Sequence, residues 1–562
     1  MSKFKVKYDL VLFILLMIFL FVPIIQGRTS LFPVKPLKGV FEPTPTPELT
    51  FDNYCSNSYQ KQIEQYTSER FGFREPVIRL YNQYLWSAYN KTYCHFIVPG
   101  KDGYLYYTSA VNDHFGTELL KHFDSNQEAV DQADKEIRLM NKLRYVLKDY
   151  GIEFLAFIAP DKPEIYPEYL PCREIDTTTI HLTEYYTRRM EEEGFPFINM
   201  TDWFVNMRDT ASFPLFPKTD SHWHYSSIYG FDSLFRFINT LDGEAKFPKI
   251  HIGPPMAYKS KEREGDEETL NLIFRIRGDK TRYKSNITVE TDSTHRKPKV
   301  LFVGDSFIWS MAEFMPIREI MADREVWFYN NTAFEGFDNK TESLTDINRL
   351  SHLLNTDYVV FYSAGHQWRE ATYGFAKDAL LQLCVSDSLF DATIGNYTKT
   401  MRNKGENAKL TDEEFHSKAI WLLESDPERI PGLDGEDMPS IRNTEGIAIA
   451  RCINEIKQDE DWVLDLKTYA FQHSLTIHDA LEQEAFHLIH GEPLLRTESV
   501  FDSTTFINMK KAELIEKWRQ DLVQTRFLQE KAKKLRRPFE AVLEEDAQWV
   551  INKQIEEGSL FQ

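Results

Sequence analysis

The chain is 562 residues long, 42% hydrophobic and 14% aromatic, which supplies enough apolar side chain for a buried core and excludes wholesale disorder. At roughly 150 residues per domain it has length for three or four. Its 86 acidic residues outnumber 66 basic ones, leaving a formal net charge of −20, and this argues against a nucleic-acid partner, which needs a positive face to displace counterions.

Lys3, Lys5 and Lys7 precede an uncharged apolar run, Leu10 to Ile25, that contains Pro23. This pattern keeps the N-terminus in the cytoplasm and exports the rest of the chain. The run is short of the ~20 residues that span a bilayer, so residues 1–27 read as a signal anchor or a cleaved signal peptide. No small-x-small site follows at Ile25-Gln26-Gly27-Arg28, which favours a single-pass anchor in the cytoplasmic membrane with the bulk on its periplasmic or extracellular side; cleavage would make the protein secreted. Residues 28–53 form a linker. Its Pro33, Pro36, Pro43, Pro45 and Pro47 cannot build a helix or a ladder and favour an extended spacer off the membrane.

Residues 54–400 read as one α/β domain. Ser125 to Tyr150 spaces Val130, Ala133, Ile137, Met140 and Leu147 near helical period, with Gly151 where a helix would stop. Four apolar runs of strand length stand at Glu153–Pro160, Lys299–Val303, Glu325–Asn330 and Tyr358–Ser363. Near-continuous apolar strands alternating with helices predict a parallel sheet covered on both faces. Residues 401–562 turn to long, charged, amphipathic helical stretches. Within them Ala470, Ile477, Leu481, Glu484 and Ala485 match Ala532, Phe539, Leu543, Asp546 and Ala547 at a constant offset, the pattern of a repeated two-helix unit or of two similar amphipathic helices. The basic run Lys531 to Arg537 reads as a solvated helix face. Five cysteines, Cys55, Cys94, Cys172, Cys384 and Cys452, show no CxxC or Cys/His ligand spacing. His487 and His490 lack the glutamate of an HExxH motif and read as surface histidines.

Two clusters carry chemistry. At Val300–Phe307 an apolar strand ends in Gly304-Asp305-Ser306. The carboxyl end of a strand faces the ligand crevice of an open α/β sheet, and a serine entering a turn toward a helix there stands near orphan N–H groups suited to an oxyanion. Gly-Asp-Ser is equally ordinary N-cap chemistry. Upstream, Asp220 and His222 are separated by one residue in Lys218–Tyr225. In extended backbone such residues project to one side, so the carboxylate can accept from Nδ1–H and leave Nε2 as a base. Ser306 would supply the missing nucleophile. A metal site or a loop cap is the other reading of Asp220, His222 and His224, but no third ligand cluster accompanies them; no metal and no cofactor are expected.

Asp220-Ser221-His222-Trp223 together with Gly304-Asp305-Ser306 resembles the SGNH-hydrolase-like domain of the alginate O-acetyltransferase family. Arg70–Arg74, Val98–Tyr106 and Ala159–Pro171 match in the family's order, and the resemblance spans Leu37 to Arg369. It implies an SGNH-hydrolase-like parallel sheet flanked by helices, with Ser306 as nucleophile, His222 as general base and Asp220 as its orienter. It also implies acetylation of hydroxyls on an exported polysaccharide, with the acetyl group supplied through a membrane-bound O-acyltransferase. Lys162 and Trp223 would shape the site, and Tyr329, Asn330 and Asn331 are oxyanion or substrate-binding candidates. Trp309 and Trp368 could offer flat faces to sugars or simply fill the core. The segment His224–Phe231 departs from the family's pattern, and the helical C-terminal region is unlike the carbohydrate-binding β-module of some members, so alginate itself is not implied. On an acidic chain a neutral or mixed polysaccharide is the expected acceptor, an acetyl-esterase with the same triad is the neighbouring activity, and a non-catalytic, membrane-tethered polysaccharide assembly factor is the alternative of another class.

Overall fold

A computed structural model describes residues 2–39, 44–243, 245–260, 265–274, 276, 281–290, 296–337, 340–384, 395, 399, 443–491, 503–535 and 537–556. The sequence boundary placed between 400 and 401 lies outside the described residues.

Seven strands form the main sheet: β1 (Glu153–Ala159), β2 (Phe197–Asn199), β3 (Lys299–Gly304), β4 (Asp323–Phe328), β5 (Thr332–Glu335), β6 (Lys340–Ser343) and β7 (Tyr358–Ala364), in the order β6-β5-β4-β3-β7-β1-β2. The five strands β4, β3, β7, β1 and β2 run parallel, and β5 and β6 add an antiparallel hairpin at one edge. Register sets Gly304 beside Tyr362 and Ala364 beside Ala159. The carboxyl ends of β3, β7 and β1 therefore stand level at the centre of the sheet, where the chain order reverses and a ligand crevice opens.

Alternation along the strands assigns each side chain to a layer. Phe154, Ala156, Ile158, Leu301, Val303, Val359 and Phe361 point to one face, under α2 (Asn126–Lys148), α3 (Leu182–Glu193) and α6 (Phe375–Cys384). Leu155, Phe157, Val300, Phe302, Val360 and Tyr362 point to the other, under α4 (Ser227–Asp242) and α5 (Trp309–Phe314). Because both faces are covered, these strands read as continuous apolar runs. Helix α2 begins where Ser125 accepts from the Glu128 N–H at 3.2 Å and stops before Gly151, whose φ of 75° favours glycine.

Helix α1 (Ser2–Thr29) continues through Pro23, and Leu10–Thr29 is long and apolar enough to cross a membrane. The proline-rich segment is not a free tether. Thr44 binds the Glu69 carboxylate through its N–H and hydroxyl at 2.8 and 2.6 Å, Arg79 donates to Pro36 O at 2.7 Å, and the Lys38 N–H donates to Asn271 at 2.9 Å. Proline removes backbone donors but leaves its carbonyl and the intervening N–H groups available for such ties.

The C-terminal part holds α7 (Thr444–Ile456), α8 (Glu460–His473), α9 (Ile477–Ile489), α10 (Ser503–Gln520), α11 (Leu522–Leu535) and α12 (Phe539–Glu556). Helix α9 packs against both α7 and α8, and α12 against both α10 and α11. Ala470 and Ala532, Leu481 and Leu543, and Ala485 and Ala547 are buried in their respective groups. Ile447 and Ala450 of α7 belong to the same core as the sheet. At the two ends of the basic run Lys531 pairs with Asp546 at 2.6 Å and Arg537 with Glu545 at 2.5 Å.

Candidate active site

Ser306 opens a 3-10 turn, Ser306–Ile308, directly after β3. Gly304 is required here, since a Cβ would collide with the Tyr362 carbonyl of β7. Asp305 caps the turn through the Phe307 N–H at 3.0 Å, and its other oxygen accepts the Ala364 N–H at 2.8 Å, fastening the ends of β3 and β7 together. The capping role read for Gly-Asp-Ser thus falls to Asp305 and leaves the Ser306 hydroxyl available. Its Oγ lies 2.7 Å from His222 Nε2, and His222 Nδ1 lies 3.0 Å from Asp220 Oδ1.

The local geometry differs from the extended backbone expected. Residues 218–222 form turns and bends, and the His222 N–H also donates to Asp220 Oδ1 at 3.0 Å. An aspartate that binds the N–H two residues on makes an Asx turn, and it is this turn that brings carboxylate and imidazole together. His224 Nε2 meets the second oxygen, Oδ2, at 3.0 Å, so Asp220 serves two imidazoles. The Ser221 N–H donates to Asp266 at 2.7 Å.

These contacts set the charges. Burial opposes ionisation of Asp220, but His224 and His222 overrule it and hold its carboxyl well below the usual carboxylate range. Desolvation pulls the His222 pKa down, yet the Asp220 carboxylate, with Asp266 and Asp305, carries it above its ordinary value. Asp266 is pushed up to about 6 by burial and by Asp220. A carboxylate can only accept, so Nδ1 carries the proton toward Asp220 and neutral His222 offers Nε2 to the serine. Hydroxyl, base and orienter are the parts a serine nucleophile needs.

A cleft of about 90 Å³ holds Ser306, His222, Lys162, Tyr329, Asp161 and His366 among its lining. At about 10–15 Å³ of such space per water, it has room for a group of several heavy atoms. The Lys162 ammonium is engaged with the backbone: it donates to the carbonyls of Leu105, Pro217, Lys218 and Asp220 at 2.6 to 3.0 Å, locking the loop that carries the Asx turn. Trp223 lies outside this cleft, fully buried, with its indole N–H donating to Phe307 O at 3.3 Å beneath the serine turn. Tyr329 and Asn330 take left-handed φ of 50° after β4. Tyr329 reaches the cleft, whereas the Asn330 amide is committed to Tyr373 O and Asp378 at 3.2 and 2.8 Å, and Asn331 lies outside the lining. Both asparagines are therefore corrected as oxyanion candidates: the turn carries them past the cleft. Trp368 is fully buried against Tyr186 and Phe361, and Trp309 packs on Phe328 and Phe334, so core filling is their role.

His366 and Asp161 were missed. Each lies two residues past the end of a central strand, β7 or β1, as Ser306 does past β3, so the strand-end rule that singled out Ser306 applies to them equally.

The sheet order and its helical cover give an α/β fold of SGNH hydrolase-like type. The family model described as SGNH hydrolase-like domain, acetyltransferase AlgX, matches residues 97–228, in agreement with the resemblance seen in the sequence. That span includes Asp220 and His222 and ends before Ser306, which the fold alone brings to them. Among solved structures, the chain is similar to the O-acetyltransferase domain of Pseudomonas putida AlgJ (14% identity, 50% of this chain and 86% of that one, TM-score 0.30). It is similar also to Pseudomonas aeruginosa AlgX (15%, 53% and 69%, 0.33) and Bacillus cereus PatB1 (12%, 49% and 98%, 0.31). No curated protein matches the chain.

Proposed function

We propose that this protein is a serine O-acetyltransferase that moves acetyl groups onto hydroxyls of an exported cell-surface polysaccharide. The observation that carries the proposal is the unbroken line from Ser306 Oγ through His222 to Asp220 at the carboxyl ends of the central strands. His222 Nε2 takes the Ser306 proton as Oγ attacks the acetyl carbonyl. The donor's oxygen leaves with that proton, giving an acetyl-serine. A sugar hydroxyl, deprotonated by the same imidazole, then attacks the acetyl carbon and releases Ser306, which regains the proton from His222. The cleft has room for an acetyl group. Asp161 and Asp305 in its lining favour a neutral acceptor over an anionic one.

Helix α1 would anchor the chain in the cytoplasmic membrane with the α/β domain on the far side, within reach of a membrane-bound O-acyltransferase that supplies the acetyl group. The test uses the full chain in detergent with a chromogenic acetyl ester, with and without a neutral oligosaccharide. Acetylated oligosaccharide made by wild type and lost in Ser306→Ala supports transfer. Acetate release unaffected by the acceptor would make the protein an esterase. The absence of both products would leave a non-catalytic assembly role.

A further inference from the structure

A second carboxylate–imidazole pair stands beside Ser306 with no task in the mechanism above. Asp161 and His366 follow β1 and β7, the strands next to β3 and to one another. Asp161 Oδ1 lies 2.6 Å from His366 Nδ1, and Oδ2 accepts the His366 backbone N–H at 2.6 Å, so both carboxylate oxygens clamp one residue. The His366 side chain is only 4% exposed. Its Nε2 is buried with no hydrogen-bond partner, in a residue that lines the same cleft as Ser306. An unsatisfied buried polar atom is costly, and one kept at a cleft wall points to an occupant that arrives with the substrate.

We propose that His366, clamped by Asp161, is a catalytic residue whose Nε2–H receives the carbonyl oxygen of the acetyl group, completing an oxyanion site with the backbone N–H of Ser306. This rests on Ser306 being the nucleophile. As the Oγ–C bond forms, the carbonyl π pair moves onto oxygen and the serine proton goes to His222. As the donor's C–O bond breaks, the pair returns and the leaving oxygen takes the proton from His222. His366 keeps its proton throughout and only holds the charge.

The surroundings favour the protonated ring. Desolvation pulls its pKa down, but Asp161, then Asp305 and Asp113, raise it. Arg369 donates to the His366 backbone carbonyl at 2.9 Å, and Tyr107 stands ring to ring at 5.6 Å. Among the described charged groups around it, carboxylates prevail.

The test compares His366→Ala, His366→Gln and Asp161→Asn with wild type in the full chain, reading acetyl-ester hydrolysis against pH beside a thermal melt. Loss of an oxyanion donor costs on the order of 10²–10³ in kcat, so His366→Ala is expected to lose that much with KM changed by less than about threefold. The alkaline limb of the profile, where imidazolium loses its proton, is expected to vanish in His366→Gln and to move to lower pH in Asp161→Asn. A purely structural pair would scale the profile without moving its limb. Should His366→Ala fail to fold, His366→Gln and Asp161→Asn decide. Wild-type kcat and an unmoved limb in these variants would overturn the proposal while Ser306→Ala stays inactive; an active Ser306→Ala would instead overturn the nucleophile and the oxyanion role with it.

Discussion

Asp220 is the residue on which the site's protonation depends, because it accepts from His222 with one oxygen and from His224 with the other. Its charge raises the His222 pKa, and the neutral imidazole is the form that takes the serine proton. Ester hydrolysis should therefore rise with pH through an apparent pKa above the ordinary imidazole value near 6.5. In Asp220→Asn the acid limb should fall to lower pH while kcat drops by on the order of 10³-fold or more; an unmoved limb would deny Asp220 the role. Lys162 makes a different prediction. Lys162→Met removes the ammonium that the buried carbonyls of Leu105, Pro217 and Asp220 accept from and should cost at least about 2 kcal/mol in chemical denaturation, with activity falling because the Asx turn loosens. The site was legible in the sequence wherever a motif carried its own geometry. Asp220, His222 and Ser306 have short-range signals, an i,i+2 spacing and a strand end. Asn330 misled because proximity to a strand end does not say which way a left-handed turn aims its side chain. Nothing local joins Asp161 to His366, which become neighbours only when β1 and β7 pair.

Among the elements, the strands that position the site are those whose burial on both faces leaves an apolar signature. The four runs expected from sequence coincide with β1, β3, β4 and β7 to within a residue or two at each end. The hairpin β5–β6 and the three-residue β2 lacked that signature, being short and only partly buried. The junction of β3 with β7 sets the serine's position, and Gly304→Ala should force the two backbones apart. We expect a loss of more than about 2 kcal/mol, seen as a lowered Tm, together with lower activity; a fully stable Gly304→Ala would show that this close approach is dispensable. Helix α7 shares the sheet's core through Ile447. Ile447→Ala should thus destabilise the α/β core itself by about 2–5 kcal/mol, which protection of β7 amides against hydrogen exchange would register.

On the scale of the whole molecule, the −20 net charge bears on the acceptor. A uronic-acid oligomer should be acetylated more slowly than a neutral oligosaccharide at low ionic strength, with the gap narrowing as salt screens the repulsion; a preference for the anionic acceptor at low salt would contradict the inference. The apolar N-terminal helix, the α/β domain and the helical region differ in how plainly they write themselves in sequence. An apolar stretch and a buried strand are set by composition, whereas the ties between the proline-rich segment and the domain depend on single polar contacts. The central claim is that Ser306 carries the acetyl group between donor and acceptor. Peptide mass spectrometry of the full chain, quenched after mixing with an acetyl ester, tests it most directly. One acetyl group is expected on the peptide that contains Ser306, discharged on adding oligosaccharide and absent in Ser306→Ala; acetyl transfer that persists in Ser306→Ala would deny Ser306 that role.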